Sequence, residues 1–405
     1  MKELLRQLFH RDHVIVALLT IAIIKLMVFV VLNLSFLSPV VRAMESFSMT
    51  DIYYWIQSRT EPTEVDPNIT LVDMTDLTSR ADIAKLIRQI RQMKPAALGV
   101  DIIFEGRKFC NDEDEILAEA CLETDEDPSS EENTGETIVW AYKLTEYDDE
   151  TDKFQNSLHS FFITEGLQCE GFVNMVSNPA KSISDYAVTL PYRDTVALSL
   201  PAQITRMVNK EELSGEARHN IDYKNVNFLV VKHDELPDYR QFIEGHIVLL
   251  GEMRTERDKY NTPIGQKSGL EILAYTIRSM TDDLRMTHAG PWVILLWAII
   301  AGCVINITDF MLTKRIEKRH STIMLFITQS EFYDKIISFI VMMLFTWASF
   351  HLFARHNYFV DTVLALSTIV LIDEGRLLYV ALLTLLKKKT KWKWVRKSIY
   401  YDERH

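Results

Sequence analysis

Catalytic signatures are missing from this chain. It contains no HExxH, no GxSxG and no CxxC, which removes the familiar zinc, serine-nucleophile and dithiol chemistries. Neither a Walker phosphate loop nor a GxGxxG is present, so its isolated glycines do not cradle a nucleotide. Cysteine is scarce, at four in 405 residues. Positive charge is absent from residues 112–136, which hold twelve acidic side chains. No EF-hand spacing occurs among them, so the block reads as a solvated loop, least ordered at Asp125–Gly135, and not as a calcium site. These absences point away from an enzyme, and no cofactor or metal is expected.

Lys and Arg are also outnumbered in the longest stretch of the chain. Residues 37–289 carry 25 Lys and Arg against 45 Asp and Glu, a net charge of −20, whereas the remainder carries +8. Such a surface repels a polyanion, which excludes nucleic acid as its partner. Long apolar runs lie only in the flanks. Val14–Phe36 exceeds the roughly 20 residues a bilayer core requires and holds one charge, Lys25. Lys2, Arg6 and Arg11 before it would also suit a cleaved signal peptide. The run is longer than the about 7–15 residues of such a segment, and no small-x-small site follows, so an uncleaved anchor is expected.

Three further apolar segments follow at 291–312, 336–353 and 359–386, the last interrupted by Asp373, Glu374 and Arg376. Lys and Arg near the membrane mark its cytoplasmic side. With four spans, the basic clusters at Lys2–Arg11, Lys314–Arg319 and Lys387–Lys397 all fall on that side. The expected organisation is that of a bacterial inner-membrane protein with both termini cytoplasmic. Its parts are a cytoplasmic N-terminus (1–13), a first transmembrane helix (14–36), a periplasmic domain (37–289), a second helix (291–312), a basic cytoplasmic loop (313–335), a third helix (336–353), a fourth (359–386) and a basic tail (387–405). In the outward domain, Cys110 with Cys121 is the natural disulfide to test, and three thiols with no bond is an equally open reading.

That domain reads as α/β with a mixed or mostly parallel sheet. A β-rich run ends at Asp73, and Ala97–Phe104 is a second buried strand. Between them, Ile83, Leu86, Ile87, Ile90 and Met93 recur at helical spacing from Ser79, and Lys94 and Pro95 end the helix. Strand, helix, strand with short connections makes a βαβ unit with parallel strands. Asp73 and Asp101 then lie at the C-terminal strand ends, where open α/β sheets bind ligands. The plainer alternative is that Asp73 and Asp76 cap the following helix. Further strands are expected at 137–144, 226–231 and 246–250. The last runs through Gly251 into a polar loop with Arg254, Arg257 and Asp258, and a helix spans Leu270–Met280.

At this point the residues resemble a known family, the CHASE2 sensory domain of bacterial signalling proteins. The resemblance runs from Asp51 and Arg59 through ITLVDMTD (Ile69–Asp76), LGVDIIF (Leu98–Phe104) and Asp112 with ILAEA (Ile116–Ala120). It continues through HIVLLG (His246–Gly251), Asp258, TPIG (Thr262–Gly265) and GLEILAYTI (Gly269–Ile277). It implies an extracytoplasmic sensor with one membrane helix before it and usually three after. Members commonly continue into a kinase or cyclase. Only 19 residues follow Leu386 here, so the output is expected to lie in a separate protein. No ligand is implied. Asp73, Asp101, Arg254 and Asp258 are the candidate ligand residues.

Charges inside a span mark pairing or function. At the helical rise Lys25 falls about 16 Å into its segment and Asp373 about 21 Å into its own, similar depths, so Lys25 could pair with Asp373 or Glu374, as packing, in signal coupling or in ion passage. The tail interleaves cations with Trp392 and Trp394, which suits anionic lipid headgroups better than RNA, and equally an acidic protein. The expected role is a signal-transmitting subunit that binds an extracytoplasmic ligand or protein and acts through a cytoplasmic partner. The alternative is a structural component of a cell-envelope complex. A reporter fused after His405 is expected to be active only as a cytoplasmic reporter, and external protease to cut within 125–135. A periplasmically active fusion would overturn the four-span organisation.

Overall fold

The computed structural model describes residues 7–32, 49–60, 63–108, 112–122, 137–164, 168–175, 182–210, 218–224, 226–282, 284, 286–319, 331–389 and 398–400. The acidic block at 125–135 and Cys110 lie outside them. Two compact units form, Met1–Met44 with Thr287–His405, and Glu45–Met286. Helix α1 (Arg11–Leu32) opens the first.

The second unit begins with α2 (Met49–Thr60), β1 (Glu64–Asp73), α3 (Arg80–Gln92), β2 (Ala97–Val100) and α4 (Glu113–Leu122). Next come β3 (Ile138–Asp148), β4 (Lys153–Leu158), β5 (Glu170–Phe172), β6 (Asp185–Ala187), β7 (Thr189–Tyr192) and β8 (Thr195–Leu198). Helix α5 (Leu200–Asn209) precedes β9 (Arg218–Asn220), β10 (Val226–Lys232), β11 (Ile247–Gly251), β12 (Lys259–Thr262), β13 (Gly265–Ser268) and α6 (Gly269–Thr281). A nine-stranded mixed sheet runs β10-β1-β11-β2-β3-β4-β7-β8, with β5 also on β3. The strands from β10 to β3, and β5, are parallel; β4 against β3 and β8 against β7 are antiparallel.

Parallel strands are covered on both faces, so their residues are apolar without alternation. Strands β2 and β11 are buried at every position. One face packs Val72, Leu98, Val100, Val248 and Leu250 against Ile83, Leu86, Ile87 and Ile90 of α3 and Leu117 of α4. On the other face Gly99 lies beneath α5, where a Cβ would come within 2.5 Å of Ile204 Cδ1 and 2.7 Å of Leu249 Cδ2. The predicted helix over 79–93 is α3. Ser79 caps it, its hydroxyl accepting from Ala81 N and Asp82 N, so Asp73 and Asp76 are not its caps. Arg80 at its first position makes a buried ion pair with Asp114 of α4. Strands β1 and β2 point the same way as expected, but β11 sits between them. The strand expected over 97–104 stops at Val100, after which Phe104 turns into the core.

The first unit continues with the short β14 (Thr287–His288), α7 (Pro291–Arg319), α8 (Glu331–His356), β15 (Tyr358–Phe359), α9 (Val363–Val370) and α10 (Ile372–Lys389). Among the described residues three helices are long and apolar enough to cross a membrane: Arg11–Phe29, Pro291–Met311 and Lys335–His356. This corrects the expectation of four such helices. The segment at 359–386 is divided at Leu371, and Asp373, Glu374 and Arg376 in the first turns of α10 deny it an uninterrupted apolar stretch. Small residues let these helices approach. A Cβ on Gly375 would fall 1.9 Å from Thr20 Oγ1, and one on Gly302 would lie 2.9 Å from Ala17 Cβ.

Among the described residues, the tightest backbone approach to a glycine is in the Glu45–Met286 unit, where a Cβ on Gly171 of β5 would meet Leu200 Cα at 2.3 Å and Leu200 N at 2.4 Å. Backbone cannot swing aside as a side chain can. Gly171→Ala is expected to cost about 3 kcal/mol, read as a lowered denaturation midpoint of the detergent-solubilised protein. An unchanged midpoint would show that β5 and α5 are not packed this closely.

Candidate functional site

The C-terminal edge of the parallel sheet gathers the predicted ligand residues. Asp73 ends β1, its register partner Gly251 ends β11, and Asp101 follows β2 directly. Asp101 N donates to Leu250 O at 2.9 Å, and Met74 N donates to Gly251 O at 3.1 Å. A Cβ at 251 would lie 3.0 Å from Leu270 Cδ1, which would have to give by a few tenths of an ångström, and in ordinary contact with Asp101 Cβ at 3.4 Å.

Two of the four predicted residues are occupied in holding loops. One Asp73 carboxylate oxygen accepts from Thr75 N at 2.9 Å and Thr75 Oγ1 at 2.5 Å, and the other accepts from Arg254 Nε at 2.8 Å. Arg254 also pairs with Asp76. The Thr75 hydroxyl in turn accepts from Met253 N at 3.0 Å and Arg254 N at 3.2 Å. Burial pushes the Asp73 carboxyl up, but the Thr75 bonds and the Arg254 guanidinium outweigh it and hold it below the usual range. The β1 and β11 loops are thereby tied together. Sequence reasoning missed Thr75, because its bonds from Met253 and Arg254 are made across the fold.

Asp101 and Asp258 form the second part of the edge. Asp258 Oδ2 accepts from Gly269 N, the first residue of α6, at 3.1 Å. A Cβ at Gly269 would strike that carboxylate at 2.8 Å. Burial raises the Asp258 carboxyl, against the hydrogen bonds from Gly269 and Tyr260. Asp101 is raised to about 7, first by burial and then by the Asp258 charge. Tyr260 is raised by burial and by both aspartates, which places it beside them. The surrounding motif is scaffold. Thr262 Oγ1 donates to Gly265 O at 2.6 Å across the β12–β13 turn, and Ser268 with Glu271 forms a capping box on α6. No group of three or more His, Cys, Asp or Glu among the described residues is placed to hold a metal ion. The arrangement offers a protonatable carboxyl, Asp101, beside an anchored carboxylate.

The remaining candidates lie elsewhere. Cys121 is buried on α4 with the α3 core, and its expected partner Cys110 is outside the described residues. In the membrane unit, Arg376 donates to Asp309 Oδ2 at 2.6 Å and Asn306 Oδ1 at 3.1 Å, and lies 3.4 Å from Asp373. Lys25 and Glu374 are exposed and make no ion pair among the described residues. Thr20 packs at Gly375, and Lys25 lies more than a turn further along α1, past Asp373. Asp309 and Asn306 were not expected as partners, since no periodicity in α7 singles them out. The buried Asp12 accepts from Tyr379 OH at 2.9 Å and from Ile399 N at 2.6 Å.

A largely parallel sheet with carboxyl groups at its C-terminal edge is thus flanked in the chain by helices long and apolar enough to cross a membrane. The chain belongs to the CHASE2 domain family, whose pattern matches residues 22–307. That match starts inside α1 and ends inside α7, so it takes in the whole Glu45–Met286 unit. No curated protein and no solved structure matches the chain.

A pH test follows from Asp101. Its carboxyl titrates near 7 when folded against 3.8 unfolded, so between those values the folded state keeps a proton that the unfolded state has released. Stability from this group is therefore lost as pH rises through that window. Asp101→Asn is expected to lose less Tm than wild type between about pH 5 and about pH 8. Equal losses in the two proteins would remove the half-buried, charge-coupled environment assigned to Asp101.

Proposed function

We propose that the chain is a non-enzymatic CHASE2 sensor or signal-transmitting subunit of the bacterial inner membrane. Its Glu45–Met286 unit faces the periplasm and binds a ligand or protein there. The membrane bundle passes the change to a separate cytoplasmic protein. The family match carries this reading. The half-buried Asp101, beside Asp258 at the edge where such sheets take ligands, supports it.

Four crossings are supported by the ends of the bundle. Arg376 joins Asp309 near the end of α7, and Tyr400 OH lies 3.3 Å from His13 at the start of α1 and 3.5 Å from Asn306. At the opposite end β14 pairs with β15. On this reading α9 and α10, neither of them an uninterrupted apolar span, together make the fourth crossing, and both termini lie with the basic clusters on the cytoplasmic side. The Lys387–Lys397 run with Trp392 and Trp394 attracts anionic headgroups and is the surface offered to the partner.

A structural subunit of an envelope complex is the second reading. It is favoured by the open edge strand β10, on which Val230 is 47% exposed. Thermal unfolding of the full-length protein in nanodiscs, titrated with a periplasmic small-molecule extract, separates the two. A ligand at a hundred times its Kd adds about 2.7 kcal/mol, so the receptor reading expects a saturable rise in Tm that Asp101→Ala diminishes. No rise, with stoichiometric co-purification of envelope proteins, replaces it with the structural one.

A further inference from the structure

The opposite, N-terminal edge of the sheet holds an open cavity of about 140 Å³. Asp66 near the start of β1, His246 before β11, Val208 of α5 and Arg278, Thr281 and Asp282 at the end of α6 line it. Arg278 Nε lies 3.3 Å from Asp66 Oδ2 and 3.8 Å from Asp282 Oδ2. The other Asp66 oxygen is taken by its own chain, accepting from Asn68 N at 2.8 Å and Ile69 N at 3.2 Å. Arg278 Nη1, His246 Nδ1 and Thr281 Oγ1 are buried without a hydrogen-bond partner. Folded proteins satisfy nearly all such atoms, so three of them around one cavity call for an occupant.

The charges define what that occupant must be. Two carboxylates against one guanidinium leave the lining net negative, and α5 and α6 both end here with the negative ends of their dipoles. Burial raises the Asp282 carboxyl, against the pull of Arg278. A simple anion would be repelled. A simple cation would leave Arg278 Nη1 unanswered, although the planar fork is made for a carboxylate. The volume is below the roughly 300–1,000 Å³ of sites for drug-sized molecules, so the occupant is small.

We propose that this cavity binds a compact ammonium carboxylate, an α-amino acid or close analogue, with its carboxylate on Arg278 and its ammonium group on Asp282. Thr281 and His246 offer their unpartnered atoms to the same molecule. The site lies at the other end of the sheet from Asp101 and Asp258, so it goes beyond the reading of that edge and is tested apart from it. Along the chain, α6 ends at Thr281 and α7 opens at Pro291, so few residues separate the site from that helix.

The test is thermal unfolding and calorimetry of the intact protein in nanodiscs with each of the twenty amino acids, and with acetate and methylamine as half-ligands. One or a few amino acids are expected to raise Tm saturably while neither half-ligand does. Arg278→Gln and Asp282→Asn are each expected to weaken binding at least about tenfold, the scale of one lost charge-assisted bond, and Asp101→Asn to leave it unchanged. Asp282 is partly exposed, so its variant reads binding even where Arg278→Gln does not fold. Three results overturn the proposal: no response to any amino acid, wild-type binding by Asp282→Asn, or an equal response to a half-ligand.

Discussion

Everything at the C-terminal edge depends on the pairing that inserts Ile247–Gly251 between β1 and β2. A parallel strand buried on both faces has no solvent side to compensate a wrong register, so apolar packing above and below fixes where it must end. That end is Gly251, opposite Asp73 and one step from Asp101. The loop beyond it carries Arg254 to Asp73 and Asp258 to the start of α6. Residues far apart in the chain thus share one edge because a single strand closes the centre of the sheet.

Local chemistry was legible in the sequence where it is self-contained. Ser79, the apolar series from Ile83 to Ile90, and Lys94 with Pro95 are enough to bound α3, because caps and periodicity act within one element. Pairing order is not local. Nothing in the β1–α3–β2 stretch announces that a later strand will separate its two strands. Likewise Ala97–Phe104 reads as one apolar run, but only its first four residues join the sheet, since burial of Phe104 is satisfied equally well by packing against Phe162. Asp73 and Asp101 could be placed at the strand ends from the sequence. Their difference could not, because one meets Thr75 and Arg254 and the other meets a like charge.

The membrane unit follows a related logic. A charged side chain among apolar helices needs a partner at its own depth and on its own face. Gly375 lets α10 lie close on α1, and that approach sets the depth at which Arg376 finds Asp309 and Asn306. Depth alone had suggested Lys25 for Asp373. The packing decided otherwise: Thr20 sits at Gly375, which leaves Lys25 more than a turn further along α1, past Asp373.

Helix α6 touches both ends of the sheet. Its first amide is held by Asp258 and its last turn carries Arg278 to Asp66. Thirteen residues make a rod of about 20 Å, anchored at each tip by a charged group and seated along its length on β1 and β11. A strut of that kind does not bend within one turn. A displacement imposed at either tip becomes a translation or rotation of the whole rod, so the two edges of the sheet are mechanically a single element with two handles.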